Sequence, residues 1–389
     1  MKNKNKIINL STPYLNKNEK KYVLDAVKSG WVSTSGKYIN LFENKLIKIT
    51  KSNHAIACIN GTSALHVALK LIGAGEDNEV LAPSITFIAP INAIRYVNAS
   101  PIFFDADKYH NINLVDVKKF IEENTYFKNN KTYNKQTNKH ILAIIVVHVW
   151  GNAVDLKNIK PYLKKKKIKI IEDASESLGT TINNIKNIHT GLVGDIGCIS
   201  FNANKIATSG GGGAIITNNL KIAKKARYLI SQSKDDAIFF RHNDIGYNYK
   251  LTNLNAAIGL AQIEQLKNFL IKKKYIYMYY SKLFSKEKLI YLLNPPSHSN
   301  SNHWLNVIIF DKKIKINLKK LINYLEKKNI EARPVWFPNH LQNKFKKFKN
   351  YQIKYANFIC KNSLCLPSDL RLTYDDVEHV YKSIISFIK

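Results

Sequence analysis

The sequence predicts an α/β protein with a large domain built on a mostly parallel sheet and a smaller α+β domain. Apolar, strand-like runs alternate with helix-period segments in the first half of the chain, as in sheets joined by crossover helices. After residue 251 the pattern changes to long helical segments. A chain of 389 residues with 45% hydrophobic content can bury a large core and a second, smaller one. We therefore assign residues 1–255 to the large domain and 256–389 to a bridging helix and the small domain.

Five apolar runs in the first half are the predicted strands of the large sheet. They are Ala55–Ile59, Glu79–Ala82, Pro101–Phe104, Ile141–Val149 and Ile168–Ile171. Between a helix that ends near Glu123 and the strand at Ile141, the segment Asn124–His140 is polar, rich in Lys and Asn, and almost free of aliphatic residues. This composition predicts a surface hairpin or loop.

The second half contains the predicted bridge and the small domain. Apolar residues recur with a 3.6-residue period up to Leu266 and lead into the helical segment Lys267–Lys282, which predicts a helix between the domains. Trp304–Phe310 is typical of a strand and Asn317–Lys328 of a helix. A terminal helix is predicted to begin at Thr373–Asp376, where the residue types form a capping-box-like pattern.

The formal net charge of +32 raises the question of nucleic-acid binding, because clustered basic residues bind phosphate backbones. Only five of the sixty basic residues are arginine, the residue that base readout and bidentate phosphate contacts favour. Lysine is instead spread over nearly every stretch, so we expect no nucleic-acid partner. The positive field could still attract an anionic small molecule.

The cysteines and the N-terminus bear on compartment. The four cysteines are Cys58, Cys198, Cys360 and Cys365. They lack CxxC spacing and zinc-ligand patterns, which predicts free thiols, no metal site and a reducing compartment. Met1–Leu10 is basic without the apolar stretch of a signal sequence, and the longest apolar run, Ile141–Val147, is too short to span a bilayer. We expect a cytoplasmic protein with no membrane partner.

Two stretches carry residues suited to cofactor chemistry. The strand that ends at Asp173 places this acid where ligands of open parallel sheets bind, and there it could pair with a cofactor ring nitrogen. Taken alone, the motif equally suits a helix cap or a solvated acid. Lys205 precedes the glycine run Gly210–Gly213, and such open surroundings suit a lysine that forms a Schiff base and then swings away. Spacing alone does not separate Lys205 from the many surface lysines.

A third stretch, Asn60–Ala64, lies between a predicted strand and an apolar-periodic helix. The backbone amides of Gly61, Thr62 and Ser63 could therefore face a phosphate at the helix N-terminus. An ordinary N-cap without a ligand would have the same sequence.

Taken together, these motifs resemble the DegT/DnrJ/StrS family of sugar-nucleotide aminotransferases. The resemblance extends over nearly the whole chain and rests on these segments: Gly30–Ser33, Asn60–Ala64, Pro83–Phe87, Glu172–Ala174, Ser200–Phe201, Lys205 with Gly210–Gly213, Gly246–Tyr249, Arg333–Pro334 and Leu366–Ser368. It implies the fold-type I architecture of transferases that depend on pyridoxal 5′-phosphate (PLP). It also implies that Lys205 is the catalytic Schiff-base lysine and that Asp173 pairs with the pyridine nitrogen.

The resemblance assigns further residues to the cofactor. The turn at Gly61, Thr62 and Ser63 would hold the phosphate, with help from Ser200 and from Asn248 of the partner subunit. The active unit would then be a homodimer with shared sites.

Two more residues are expected to contact the cofactor ring. Phe87 matches the aromatic residue that stacks on the pyridine, although an isolated Phe is more often core packing. Glu176 would lie near the ring hydroxyl, at a position where many relatives carry glutamine. His148, which could pass for a catalytic base, is expected to be a structural residue behind the site.

Substrate binding is expected to involve Thr34, Arg333 and His340. Arg333 precedes Pro334 in a position suited to gripping a carboxylate or a sugar-nucleotide phosphate with a fork of donors. A surface arginine without a role is the alternative.

Three details resemble the 4-aminotransferases of the bacillosamine and legionaminic acid routes: Asn204–Lys205, Gly211–Gly212 and the insertion 124–140. The implied reaction transfers an amino group from L-glutamate to UDP-4-keto-6-deoxy-N-acetylglucosamine, with GDP-perosamine-type synthesis on a GDP-linked sugar as the nearest alternative. Ala203 and Lys250 depart from common family residues and bear on substrate fit. A PLP-dependent sugar dehydratase, which has histidine in place of the lysine, and a non-enzymatic regulator are further alternatives.

Overall fold

The structure, a computed structural model, describes residues 6–236 and 238–388. Its helices are α1 (Glu19–Lys28), α2 (Lys37–Thr50), α3 (Gly61–Leu71), α4 (Ala89–Tyr96), α5 (Leu114–Asn124), α6 (Ile159–Lys165), α7 (Leu220–Ile230), α8 (Asn253–Glu264), α9 (Leu266–Phe284), α10 (Leu318–Lys327), α11 (Tyr355–Asn362) and α12 (Tyr374–Ile388).

The strands are β1 (His54–Cys58), β2 (Asn78–Pro83), β3 (Ser100–Phe104), β4 (Thr125–Lys128), β5 (Lys131–Asn134), β6 (His140–Val147), β7 (Lys169–Asp173), β8 (Thr181–Ile182), β9 (Ile188–His189), β10 (Ile196–Ser200), β11 (Gly213–Thr217), β12 (Lys234–Asp236), β13 (Arg241–His242), β14 (Ile290–Leu292), β15 (Ser299–Asn300), β16 (Asn306–Phe310), β17 (Arg333–Pro334), β18 (Asn350–Tyr351) and β19 (Ser363–Leu366).

The large sheet is mostly parallel, as the strand–helix alternation predicts. Its main path runs β1-β11-β10-β7-β6-β2-β3-β18. The pairs from β10 to β18 are all parallel, and β11 and β1 extend one edge in antiparallel orientation. Helices cover both faces, so the central strands are continuous aliphatic runs, as in β6. The carboxyl ends of β7 and β10 therefore lie side by side.

The predicted surface hairpin between α5 and β6 is confirmed. Strands β4 and β5 form an antiparallel hairpin whose central turn residues, Asn129 and Asn130, have φ of 50° and 59°. Two positive φ angles are typical of the type I′ turn, in which asparagine is favoured. Most of the hairpin is exposed, while the buried Asn134 donates a 2.8 Å hydrogen bond to Glu79 and so attaches it to the sheet.

A second, antiparallel sheet lies in the C-terminal part, in the order β14-β16-β19-β17. It shares an apolar core with α9, α10 and α12. The predicted bridging helix is two helices, because the helical structure is interrupted at Gln265 between α8 and α9. The side chain of Gln265 donates to Glu19 at 2.9 Å, a contact between distant segments that helical periodicity does not register. The domain boundary at residues 255 and 256 stays a prediction.

The capping box predicted at the start of α12 is confirmed. Asp376 donates its N–H to the Thr373 hydroxyl at 3.2 Å, and its carboxylate accepts the Thr373 N–H at 2.8 Å. We expect Thr373→Ala to lower the free energy of unfolding by about 1 kcal/mol, because one N–H at the helix end loses its acceptor. Thr373→Ser, which keeps the hydroxyl, should stay near wild type in chemical denaturation. Equal losses in both variants would show that the methyl group and not the cap matters.

All four cysteines are free, and only Cys360 is not fully buried. Within the described ranges no group of His, Cys, Asp or Glu side chains could form a metal site. No helix among the described residues has the length and apolar character needed to cross a membrane.

Candidate active site

A cavity of about 420 Å³ opens where the carboxyl ends of β7 and β10 meet the N-terminus of α3. Seven of the predicted site residues line it: Gly61, Thr62, Phe87, Asp173, Glu176, Ser200 and Lys205. They come from five separate stretches of the chain, and the parallel sheet brings them together because ligands bind at the carboxyl edge of such sheets.

Lys205 lies in the irregular segment between β10 and β11, and its side chain is only 12% exposed. Its Nζ is 3.8 Å from Oε1 of Glu176 and 4.1 Å from the centroid of the Trp304 ring. The amine is therefore held between a carboxylate and an aromatic face.

Asp173 ends β7 and is buried at 4% exposure. Burial raises the pKa of its carboxyl, while the Ser175 donors and the nearby Lys205 oppose that shift. The Ser175 N–H donates to Oδ1 at 3.0 Å, and among the described residues no side chain forms a salt bridge with Asp173. A cationic ring nitrogen in the cavity would supply the missing counter-charge.

Glu176 lies on the other side of Lys205 and is 3% exposed. Its Oε2 accepts the backbone N–H of Trp150 at 2.8 Å. Burial raises the pKa of this carboxyl, with Lys205 acting in the opposite direction. Two buried carboxyl groups thus share one lysine, and burial raises the pKa of both.

His148 lies behind Asp173, consistent with the structural role expected for it. Its Nδ1 accepts the N–H of Val154 at 3.0 Å, so the proton is on Nε2, which donates to Glu172 at 2.9 Å. Glu172 also accepts the N–H groups of Gly191 and Gly194. Burial alone would raise the pKa of Glu172, but these donors lower it. This network, whose two side chains are fully buried, fixes the end of β7.

The N-terminus of α3 provides a place for an anion. Asn60 caps the helix by accepting the Ser63 N–H at 2.7 Å, while Gly61 and Thr62 face the cavity beside Ser200. The first N–H groups of a helix have no intrahelical partner and attract negative charge. A Cβ at Gly61 would lie 2.9 Å from the Ser200 Cβ, so the close approach of turn and strand requires glycine. Ser63, whose N–H goes to the cap, does not line the cavity.

Three tryptophans that the sequence does not single out pack together next to the cavity, and one of them, Trp336, lines it. Trp336 contacts Phe87 edge to face at a centroid distance of 5.4 Å and stacks on Trp150 at 5.2 Å. Trp150 stacks in turn on Trp304 at 6.1 Å. Phe87 remains 51% exposed, with a face available to a ligand. No motif connects the three tryptophans, because they are brought together only by the fold.

Besides Ser63, four predicted site residues do not line this cavity within the single chain: Thr34, Asn248, Arg333 and His340. Arg333, on β17, forms a 2.9 Å salt bridge with Glu331, and its side chain is 59% exposed. His340 is buried, with its Nδ1 2.7 Å from the Ser84 hydroxyl. The prediction for Asn248 concerns a partner subunit and stays a prediction.

Comparison with known proteins decides the family. The chain matches the DegT/DnrJ/EryC1/StrS aminotransferase family over residues 13–385. It belongs to this family. Aminotransferases of the DegT/DnrJ/EryC1/StrS family depend on PLP, and the chain is accordingly a PLP-dependent aminotransferase.

Individual relatives agree over almost the full length. EpsN of Bacillus subtilis, named as a pyridoxal phosphate-dependent aminotransferase, is 32% identical over 98% of this chain and 95% of its own. A GDP-perosamine synthase of Escherichia coli O157:H7 is 33% identical over 98% of this chain and 99% of its own. The solved structure of Helicobacter pylori PseC, an aminotransferase of pseudoaminic acid biosynthesis, superposes with a TM-score of 0.89 at 24% identity, covering 98% and 99%. The predicted fold-type I architecture is confirmed.

The cavity fits PLP by its own chemistry. It combines an anion site at the α3 N-terminus, a buried carboxylate with no salt-bridge partner in the described part of the chain, and an enclosed amine. These are the three groups that a phosphate, a pyridine nitrogen and an aldehyde require. The half-exposed ring of Phe87 lines the same cavity.

Proposed function

We propose that the protein transfers an amino group from L-glutamate to C4 of a nucleotide-linked 4-keto-6-deoxy sugar, with Lys205 as the catalytic residue. The observation that carries the proposal is the enclosed Lys205 amine, 3.8 Å from Glu176 in the cavity that Asp173 also lines. Family membership supports the transfer of an amino group.

We assign cofactor binding and proton transfer to the residues of the chain as follows. Gly61, Thr62 and Ser200 bind the cofactor phosphate, and Phe87 packs on the ring. Asp173 keeps the ring nitrogen protonated, and the bound cofactor then supplies an electron sink for the substrate carbon. Lys205 takes the proton from Cα of glutamate and in the second half-reaction delivers a proton to C4 of the sugar.

The active unit in this proposal is a homodimer in which Asn248 of the partner subunit completes the phosphate site. Asn248 lies close to the chain surface, bridged to Ser231, and does not reach the cavity of its own chain. Arg333 and Thr34 would act on substrate only in that assembly, since in the single chain both lie outside the cavity.

The sugar is proposed to be UDP-4-keto-6-deoxy-N-acetylglucosamine. Support comes from the Asn204–Lys205 and Gly211–Gly212 pairs and from the β4–β5 hairpin at residues 124–140. A GDP-linked 4-keto-6-deoxy sugar is the second candidate, which the 33% identity to a GDP-perosamine synthase supports.

Purified protein, glutamate and a panel of UDP- and GDP-linked 4-keto-6-deoxy sugars test the proposal, with the product identified by mass. We expect amination of the UDP sugar. Amination of the GDP sugar alone would refute the nucleotide assignment, and amination of neither would refute the sugar class.

A further prediction concerns Glu176. Glu176→Gln should keep cofactor affinity and kcat within about tenfold of wild type, because the amide oxygen still accepts the Trp150 N–H. Glu176→Leu leaves that buried N–H without an acceptor, at a cost of about 1–3 kcal/mol. Absorbance titration with PLP and chemical denaturation measure both effects. If the glutamine variant is as impaired as the leucine variant, the negative charge itself is needed.

A further inference from the structure

Hydrogen bonds and ring stacking hold Trp304 in a position that faces the proposed catalytic amine. Its indole N–H donates to the carbonyl of Asn204 at 2.8 Å, and its backbone N–H donates to Asn302 at 2.9 Å. One ring face stacks on Trp150, and the Lys205 Nζ lies 4.1 Å from the ring centroid. An ammonium over an indole face is attracted by the ring quadrupole, and most strongly where water is excluded.

The backbone carbonyl of Trp304 accepts a hydrogen bond from a buried lysine. Lys273, on α9, is 1% exposed, and its Nζ donates to the carbonyl of Trp304 at 2.8 Å and to that of Ser368 at 2.5 Å. Within the described ranges Lys273 forms no salt bridge, and Asp369, the acid that acts on its charge, pairs with Arg371. Burying an amine in this way is costly unless its hydrogen bonds are made.

The buried environment of Lys273 suits a neutral hydrogen-bond donor more than a charged ammonium group. Burial lowers its pKa to about 7, with Asp369 opposing the shift. A neutral amine still carries two N–H groups, which matches the two carbonyls it contacts. An aliphatic side chain would fill the same space without the desolvation cost, so the amine is explained by what it holds in place.

We propose that Lys273 is a positioning residue. Its two hydrogen bonds link the Trp304 carbonyl to the Ser368 carbonyl and so hold the Trp304 backbone, and the indole face then forms a docking surface for the Lys205 amine whenever that amine is free. The inference rests on the proposed role of Lys205. It explains how the lysine stays within the cavity during the part of the cycle in which it must carry a proton and is not bonded to the cofactor. Neither Lys273 nor Trp304 needs to touch the substrate.

The test measures the reactivity of Lys205 in the full-length chain freed of cofactor. Trinitrobenzenesulfonate labels amines, and peptide mass spectrometry resolves each site, with the exposed Lys119 as internal reference. We expect Trp304→Leu and Lys273→Met to raise the labelling rate of Lys205 about fivefold, since the docked amine loses its aromatic partner. Trp304→Phe, which keeps a ring face, and Lys273→Gln, which keeps two N–H donors without a permanent charge, should stay within about twofold of wild type.

Turnover provides the second readout. Lys273→Met should lower kcat about fivefold and leave the KM for glutamate unchanged, with the neutral donor Lys273→Gln restoring kcat. Unchanged labelling in Trp304→Leu overturns the proposal, even if the Lys273 variants fold poorly, and so does a loss of melting temperature in Lys273→Met without any change in labelling. Labelling does not depend on the substrate, so failure of the proposed function would appear separately, as turnover that survives in Lys205→Ala.

Discussion

Lys205→Ala is expected to lower kcat by at least about 10⁴-fold while the protein stays folded. The lysine would carry the proton in both half-reactions, and positioned acid–base groups each contribute about 10²–10⁴. Loss of the covalent link adds to this effect. The variant should still bind PLP through the α3 N-terminus and Asp173, but it should release PLP on gel filtration.

Lys205→Arg is the matched control, because it keeps a long cation between Glu176 and Trp304 but cannot form the covalent link. Single-turnover reactions with glutamate, followed by absorbance, measure both variants. Turnover of Lys205→Ala within tenfold of wild type would contradict the assignment of the catalytic residue.

Asp173→Asn is expected to lower kcat by about 10²–10³, the range typical of removing one preorganised electrostatic partner. The amide cannot hold a proton on the ring nitrogen, although it preserves the contact with the Ser175 N–H seen at 3.0 Å. Asp173→Glu keeps the charge and serves as control. Activity of the asparagine variant equal to wild type would contradict the role given to Asp173.

The same variant should not destabilise the cofactor-free protein. The folded-state pKa of Asp173 is raised above its unfolded value by burial. Ionised Asp173 therefore costs stability at pH values above its folded pKa, and this cost disappears below the unfolded value. Near pH 7 the neutral asparagine removes the cost, so the melting temperature of cofactor-free Asp173→Asn should equal or exceed that of wild type. A clear drop would show that the carboxylate stabilises the empty site.

Sequence patterns predicted the sheet and the residues on its carboxyl edge, for physical reasons that are local. A run such as β6 is aliphatic because both of its faces are buried, and Asp173 directly ends β7. The capping box at Thr373 and the surface hairpin within residues 124–140 likewise depend on neighbours within a few residues.

Features that depend on contacts between distant segments were not predicted. Trp304 meets Lys205 and the Asn204 carbonyl across about a hundred residues of chain, and no local pattern reports such a contact. The interruption between α8 and α9 also involves a contact between distant segments, because the side chain of Gln265 donates a hydrogen bond to Glu19, near the N-terminus. Arg333 had suitable chemistry, but it lies on β17 outside the cavity of its own chain, where it forms a salt bridge with Glu331.

The central claim is that one amine of this lysine-rich chain reacts with PLP. Borohydride reduction of the holoenzyme followed by peptide mass spectrometry tests it most directly. We expect a single pyridoxyl group, on Lys205. A pyridoxyl group on any other lysine, or none on Lys205, would contradict the account.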